Sequence, residues 1–214
     1  MKATMKKRFG IVAGASLMLF VFAASSIAQD DGGYGGFQLT SSTFTNNSEL
    51  PLSMILNNQV NGVNTCSVNG AAGGDTSPEL SWSGAPQGTR SFVVVLYDVT
   101  AAFTHWGMYN IKPTVSQLPA GAGVAGSSYG LQIENDFDLG MEYDGPCPPA
   151  GYVPYQHQYV FTIYALSTQL TLPSSTNFPA NGETLYHALI QAGIEGEILG
   201  KTSLTGYYSS TPSS

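Results

Sequence analysis

Three histidines, His105, His157 and His187, are the side chains best placed by type to handle protons or oxyanions near neutral pH. His187 stands alone. It sits one residue before the apolar Ala188-Leu189 pair, with no acid or second histidine at matching spacing, and reads as structural. His105 and His157 keep different company. His105 follows the run Phe92 to Tyr97, which ends at Asp98, and it precedes Trp106. His157 follows Tyr143-Asp144-Gly145-Pro146-Cys147-Pro148-Pro149-Ala150-Gly151, a stiff loop whose prolines leave few N–H groups to spend on internal hydrogen bonds. Loops of this kind on a strand scaffold commonly carry binding residues. Two histidines and an aspartate are a set that could bind a metal, act as acid and base, or hold a ligand. The first two uses lack support. The sequence contains no H-E-x-x-H, no paired histidines at metal spacing and no G-x-S-x-G nucleophile motif. No catalytic residue, metal site or cofactor is therefore expected.

The elements that must position these residues read mainly as strands. Phe92-Val93-Val94-Val95-Leu96-Tyr97 is a continuous, β-branched apolar run and predicts a central strand buried on both faces. Gln158 to Leu166 alternates, with Tyr159, Phe161, Ile163 and Ala165 on one side and Val160, Thr162 and Tyr164 on the other. Further strands are predicted from Phe37, over His105 to Ile111 and over Leu199 to Tyr207. Asn57 to Thr76 reads as a long loop, and Pro119 to Gly151 as mostly irregular. One helix is predicted, started by Asn181-Gly182-Glu183-Thr184, carried by Leu185, Ala188, Leu189 and Ala192, and ended at Gly193. Many strands with one late helix predict an all-β, sheet-on-sheet domain.

The chain opens with Lys2, Lys6, Lys7 and Arg8, then an apolar stretch from Phe9 to about Ala24, then Ser26-Ile27-Ala28. A basic head, an apolar middle and a small-x-small site predict a signal peptide over residues 1–28, cleaved after Ala28. An uncleaved anchor is the rival reading, but the stretch is a weak span rich in Gly, Ala and Ser. No stable membrane insertion is expected after cleavage, and the location is periplasmic or secreted. Residues 29–36 and 209–214 read as a flexible lead and tail around a domain over 37–208. The mature chain keeps three basic residues against fourteen acids, a formal charge of −11. Nucleic acid and anionic lipid need clustered cations, so neither is expected as a partner. Cys66 and Cys147 are the two cysteines, and an oxidising compartment favours a disulfide between them over two free thiols.

Several segments together resemble the phosphatidylethanolamine-binding protein (PEBP) family, in its bacterial YbhB/YbcL branch of Raf kinase inhibitor-like proteins. Ser77-Pro78-Glu79-Leu80-Ser81-Trp82 is similar to the family's S-P-x-L-x-W motif. The strand ending in Asp98 and the His105-Trp106 pair resemble the strand before its D-P-D-A-P loop and the H-W pair after it. Leu131-Gln132, Asn135-Asp136-Phe137 and the Tyr143 to Pro149 loop resemble L-Q-x-x-N-D-F and G-Y-x-G-P-C-P-P. His157-Gln158-Tyr159 stands where the branch has H-R-Y, and Leu199 to Tyr208 is similar to the family's last strand. The resemblance runs from about Phe37 to Tyr208. It implies a β-sandwich of antiparallel sheets with one or two peripheral helices. It also implies a pocket for a small anionic ligand, phosphate-like or a phospholipid head group, lined by Asp98, His105, Gly145, Pro146, Cys147, Pro148, His157 and Tyr159. Imidazoles and a tyrosine hydroxyl can donate to phosphate oxygens, while Asp98 would orient a histidine or receive a ligand ammonium. Histidine is protonated below about pH 6.5, so anion binding should tighten at mild acid. The sequence departs from the family where Asp98-Val99-Thr100-Ala101-Ala102 lacks both prolines and the second aspartate of the rim. The alternatives to a binding protein are an interaction or inhibitor module acting on a protease or other extracytoplasmic protein partner, and a hydrolase using the His/Asp cluster.

Overall fold

The computed structural model of this chain describes residues 36–175 and 177–212. The leader over 1–28 and nearly all of the lead over 29–36 lie outside the described residues. Eleven strands and one helix follow in the order β1 (Gln38–Thr40), β2 (Ser48–Glu49), β3 (Gln59–Val60), β4 (Val63–Asn64), β5 (Leu80–Ser83), β6 (Ser91–Asp98), β7 (Phe103–Ile111), β8 (Gln117–Leu118), β9 (Leu131–Gln132), β10 (His157–Leu166), α1 (Gly182–Ile194) and β11 (Ile198–Tyr208). The domain is mainly β, as its sequence predicts.

Six strands form the main sheet in the order β2-β11-β10-β6-β7-β9, and β1-β5-β8 form a smaller one. Strand β6 lies inside the main sheet with both faces covered, which is why its sequence is apolar without alternation. Strand β10 alternates buried and partly exposed positions up to its last two residues, which are both buried. Its inner residues Tyr159, Phe161, Ile163 and Ala165 join Leu39, Leu80, Trp82, Phe92, Leu96 and Trp106 in the core between the two sheets. Each fully buried Leu, Ile or Phe among them contributes about 1.5–3 kcal/mol of transfer free energy. Helix α1 covers the opposite face, where Leu185, Leu189 and Ala192 pack with Val93, Val95 and Ile133. The helix is fixed at its start by a reciprocal cap between Asn181 and Thr184.

Four details depart from the sequence reading. The sheets are antiparallel except at one edge, where β2 pairs parallel to β11. The loop over 57–76 contains a small hairpin, β3–β4, because Asn61 and Gly62 both take positive φ (52° and 78°), the pairing that a two-residue hairpin turn requires. Helix α1 runs past Gly193 to Ile194, and the reversal comes at Gly196, whose φ of 72° suits a glycine after the last turn. Residues 209–212 are held rather than loose. Ser210 is buried with its hydroxyl donating to the Pro148 carbonyl, and Thr211 Oγ1 accepts from the Gly151 N–H at 2.9 Å.

Candidate functional site

Strands β6, β7 and β10 are neighbours in the main sheet, and their ends bring Asp98, His105, His157 and Tyr159 to one place. Asp98 pairs across the ladder with Tyr159. All four side chains are buried, His157 being the most exposed at 6%.

The short turn from β6 to β7 is held by hydrogen bonds in place of a proline-stiffened rim. Asp98 Oδ1 accepts from the N–H groups of Thr100 and Ala101 at 2.8 and 3.0 Å. Both donors exist because neither residue is proline. The carboxylate thus shapes its own turn, with Thr100 Oγ1 accepting from the Gln158 N–H to tie that turn to β10. The second carboxylate oxygen, Oδ2, accepts from His157 Nδ1 at 2.6 Å. Asp98 therefore orients His157 and leaves its Nε2 directed elsewhere.

His105 is held differently. Its Nδ1 donates to the backbone carbonyl of Asp144 at 2.9 Å, and the Asp144 N–H returns a bond to the His105 carbonyl at 3.3 Å. Its ring is walled by Phe103, Phe137 and Tyr159, with centroids 4.9, 5.3 and 5.4 Å away. Burial among these rings pushes the imidazole pKa down to about 4, with His157 adding a smaller push the same way. The Asp144 carbonyl, the Asp98 charge and the Gly145 backbone act upward without offsetting it. His105 therefore stays neutral at mild acid. The expected gain of cationic charge near pH 6 does not occur at this residue.

The segments between the strands act as a frame for this pair. Gln132 Oε1 accepts from the Trp106 indole at 2.6 Å. Asn135 Nδ2 donates to Asp144 Oδ2 at 2.5 Å, and Asp136 Oδ2 accepts from the Thr104 N–H at 2.7 Å. Phe137 supplies one wall of the His105 cage. Gln132, Asn135 and Asp136 thus each fix a neighbour of His105.

The proline-rich loop is an anchor. Gly145 donates its N–H to Asp75 Oδ1 at 2.8 Å, and the Pro146 carbonyl accepts from the Leu56 N–H at 3.3 Å. A Cβ at Gly145 would lie 1.9 Å from the Met54 carbonyl oxygen, so only glycine fits between the two backbones. Cys147 forms a disulfide with Cys66, and the Pro148 carbonyl is taken by Ser210. Of the expected lining residues, Asp98, His105, His157 and Tyr159 lie together at the ends of β6, β7 and β10. Gly145 to Pro148 hold the loop through hydrogen bonds and the disulfide, and the Gly145 backbone also acts on the His105 ring, raising its pKa.

Tyr159 carries the most informative feature. Its hydroxyl is buried, makes no hydrogen bond of good geometry among the described residues, and lies beside the Asp98 carboxylate. Burial raises its pKa far above the usual tyrosine value, and Asp98 raises it further by its charge and as a nearby acceptor, so the hydroxyl stays a donor. Phe103, Phe137, the Asp144 carbonyl and Asp75 belong to the site's surroundings and were not singled out from the sequence. The Tyr143 to Pro149 and Asn135 to Phe137 motifs contain two of them. Nothing in local spacing marks the other two.

Comparison with known proteins follows the same lines. A family model described as phosphatidylethanolamine-binding protein matches residues 40–209. The UPF0098 protein YbcL of Escherichia coli (strain K12) is 33% identical over 175 residues, covering 78% of this chain and 84% of that protein. A UPF0098 protein of Aquifex aeolicus is 31% identical over 179 residues, covering 80% and 87%. The crystal structure of E. coli YbcL, described as a new member of the mammalian PEBP family, superposes with a TM-score of 0.63 at 30% identity, covering 81% of this chain and 98% of that one. None of these relatives is named as an enzyme.

Proposed function

The chain belongs to the phosphatidylethanolamine-binding protein family, and from that premise we propose that it is an exported binding protein that holds a small phosphate-like anion at Tyr159, His157 and His105 without turning it over. The observation that carries this reading is the unpartnered Tyr159 hydroxyl beside two imidazoles. A buried hydroxyl without a partner costs about 1–3 kcal/mol, and an anionic oxygen that accepts from it removes that cost. Asp98 is already committed to His157, Thr100 and Ala101, so it serves as a positioning group. The described residues place no hydroxyl in hydrogen-bond contact with the Nε2 of either histidine, which favours binding over nucleophilic catalysis. Export is supported by the basic, apolar and small-residue order of the first 28 residues and by the Cys66–Cys147 disulfide.

The test is calorimetric titration with phosphate and phosphoethanolamine of protein recovered from the extracytoplasmic fraction, expected to begin at Gln29. A His105→Ala/His157→Ala double variant is titrated beside it. Saturable binding that disappears in a folded double variant is the expected result. A well-folded wild type that binds neither ligand sinks the proposal. Recovery of the chain only from the cytoplasm sinks the export half of it.

A further inference from the structure

The hydrogen-bond pattern of His105 bears on which anions the site accepts. A carbonyl oxygen can only accept, so the contact with Asp144 places the ring proton on Nδ1. The reciprocal Asp144 N–H bond, and the hold of Asn135 on the Asp144 side chain, keep that carbonyl in place. In a neutral ring with Nδ1 protonated, Nε2 is a bare lone pair and can only accept. The charged and titratable groups around the ring are Asp98 at the end of β6, His157 and Tyr159 on β10, and Asp144 in the loop. Their combined effect with burial leaves the ring neutral down to a pKa of about 4. The site therefore presents an acceptor at His105 and a donor at Tyr159, with no partner for the Tyr159 hydroxyl among the described residues. An anion matched to both must bring bare oxygens and one O–H.

We propose that the site selects oxyanions that retain a proton, such as a singly protonated phosphate monoester, whose O–H donates to His105 Nε2 while Tyr159 donates to a bare oxygen. The inference rests on the anion-binding reading above and gives it a specificity. A fully deprotonated tetrahedral anion of the same size sets an oxygen lone pair against the Nε2 lone pair. Sulfate is such an anion at any pH where the protein is folded. A phosphate monoester loses its last proton near pH 6, whereas inorganic phosphate keeps one proton well above that.

These three anions form an internally controlled experiment on the exported, oxidised wild-type protein, titrated by calorimetry at pH ~5 and pH ~8, on either side of the monoester's ionisation. At the lower pH, inorganic phosphate and methyl phosphate are both expected to bind about tenfold more tightly than sulfate, the effect of one well-placed hydrogen bond against an unsatisfied buried acceptor. At the higher pH, inorganic phosphate keeps its advantage while methyl phosphate weakens to the level of sulfate. At pH ~8 all three are mainly dianions of similar size, so the ratios there isolate the acceptor at His105 from differences in ligand charge. Sulfate within twofold of phosphate at both pH values, with no pH effect on the methyl phosphate ratio, overturns the selectivity and leaves a general anion site standing. Failure of both phosphate and sulfate to bind overturns this inference together with the function it rests on. Nitrogen NMR of the His105 ring is a second, ligand-free check, with the proton expected on Nδ1 near neutral pH. A proton on Nε2 contradicts the argument at its first step.

Discussion

Replacing Asp75 with asparagine should stabilise the protein at neutral pH and leave it unchanged in acid. Asp75 stands under the proline-rich loop, with Oδ1 accepting from the Gly145 N–H and its own N–H donating to the Ile55 carbonyl at 3.0 Å. Burial raises its carboxyl pKa from 3.8 to about 6, against the Gly145 hydrogen bond, which lowers it, and with smaller upward pushes from Asp144 and Glu142. The folded state therefore holds this proton more tightly than the unfolded chain does. Stability from the group is complete below the unfolded value of 3.8 and is lost as the pH rises through about 6. A shift of roughly two units corresponds to about 3 kcal/mol at most. Asp75 is only half-buried, and solvent screening cuts that to about 1–1.5 kcal/mol. Asparagine keeps an amide oxygen for Gly145, carries no charge, and tolerates the positive φ of 44° at this position. For a domain of this size, Asp75→Asn should then melt roughly 2–5 °C higher than wild type near pH 8. The gap should close near pH 4. Melting both proteins across that range cancels the titrating groups not coupled to Asp75, including His105, whose lowered pKa gives wild type an opposite slope between about 4 and 6.5. A gap that is constant with pH, or a variant less stable near pH 8, refutes the reasoning.

Two further outcomes test the frame around the site. Gly145→Ala forces a methyl group against the Met54 and Leu56 backbones and should lower stability by about 3 kcal/mol or more, read as a drop in denaturant midpoint; a loss below about 0.5 kcal/mol contradicts the close approach. Removing the disulfide with Cys66→Ser/Cys147→Ser opens a link across 81 residues and should cost about 2–5 kcal/mol by the same measurement. An unchanged midpoint would show that the loop is held by Asp75, Leu56 and Ser210 alone.

Elements with strong periodicity were legible because the cause of their sequence pattern is local. Strand β10 has one face on the core, so its residues alternate, and β6 has two covered faces, so its residues do not. Short strands such as β2, β8 and β9 carry too few residues for any period to show. The β3–β4 hairpin was missed although Asn61-Gly62 marks it, because the surrounding Asn, Gly and Ser read as loop. Within the site, His105, His157, Asp98 and Tyr159 were nameable because motif resemblance ties them to strand ends.

The sequence by itself determined the mainly β class, the central strand, the helix, the family and the residues that meet at the site. It also supplied the donors that close the Asp98 turn, since Thr100 and Ala101 carry N–H groups that prolines would lack. Only the tertiary structure decided what those residues can do. The protonation of His105 depends on a carbonyl 39 residues away in sequence and on two phenylalanines from separate segments. Whether Gly145 faces a ligand or an aspartate depends on a residue 70 positions away. Burial and hydrogen-bond geometry are set by which segments pack together, and long-range packing leaves no periodic trace in the chain.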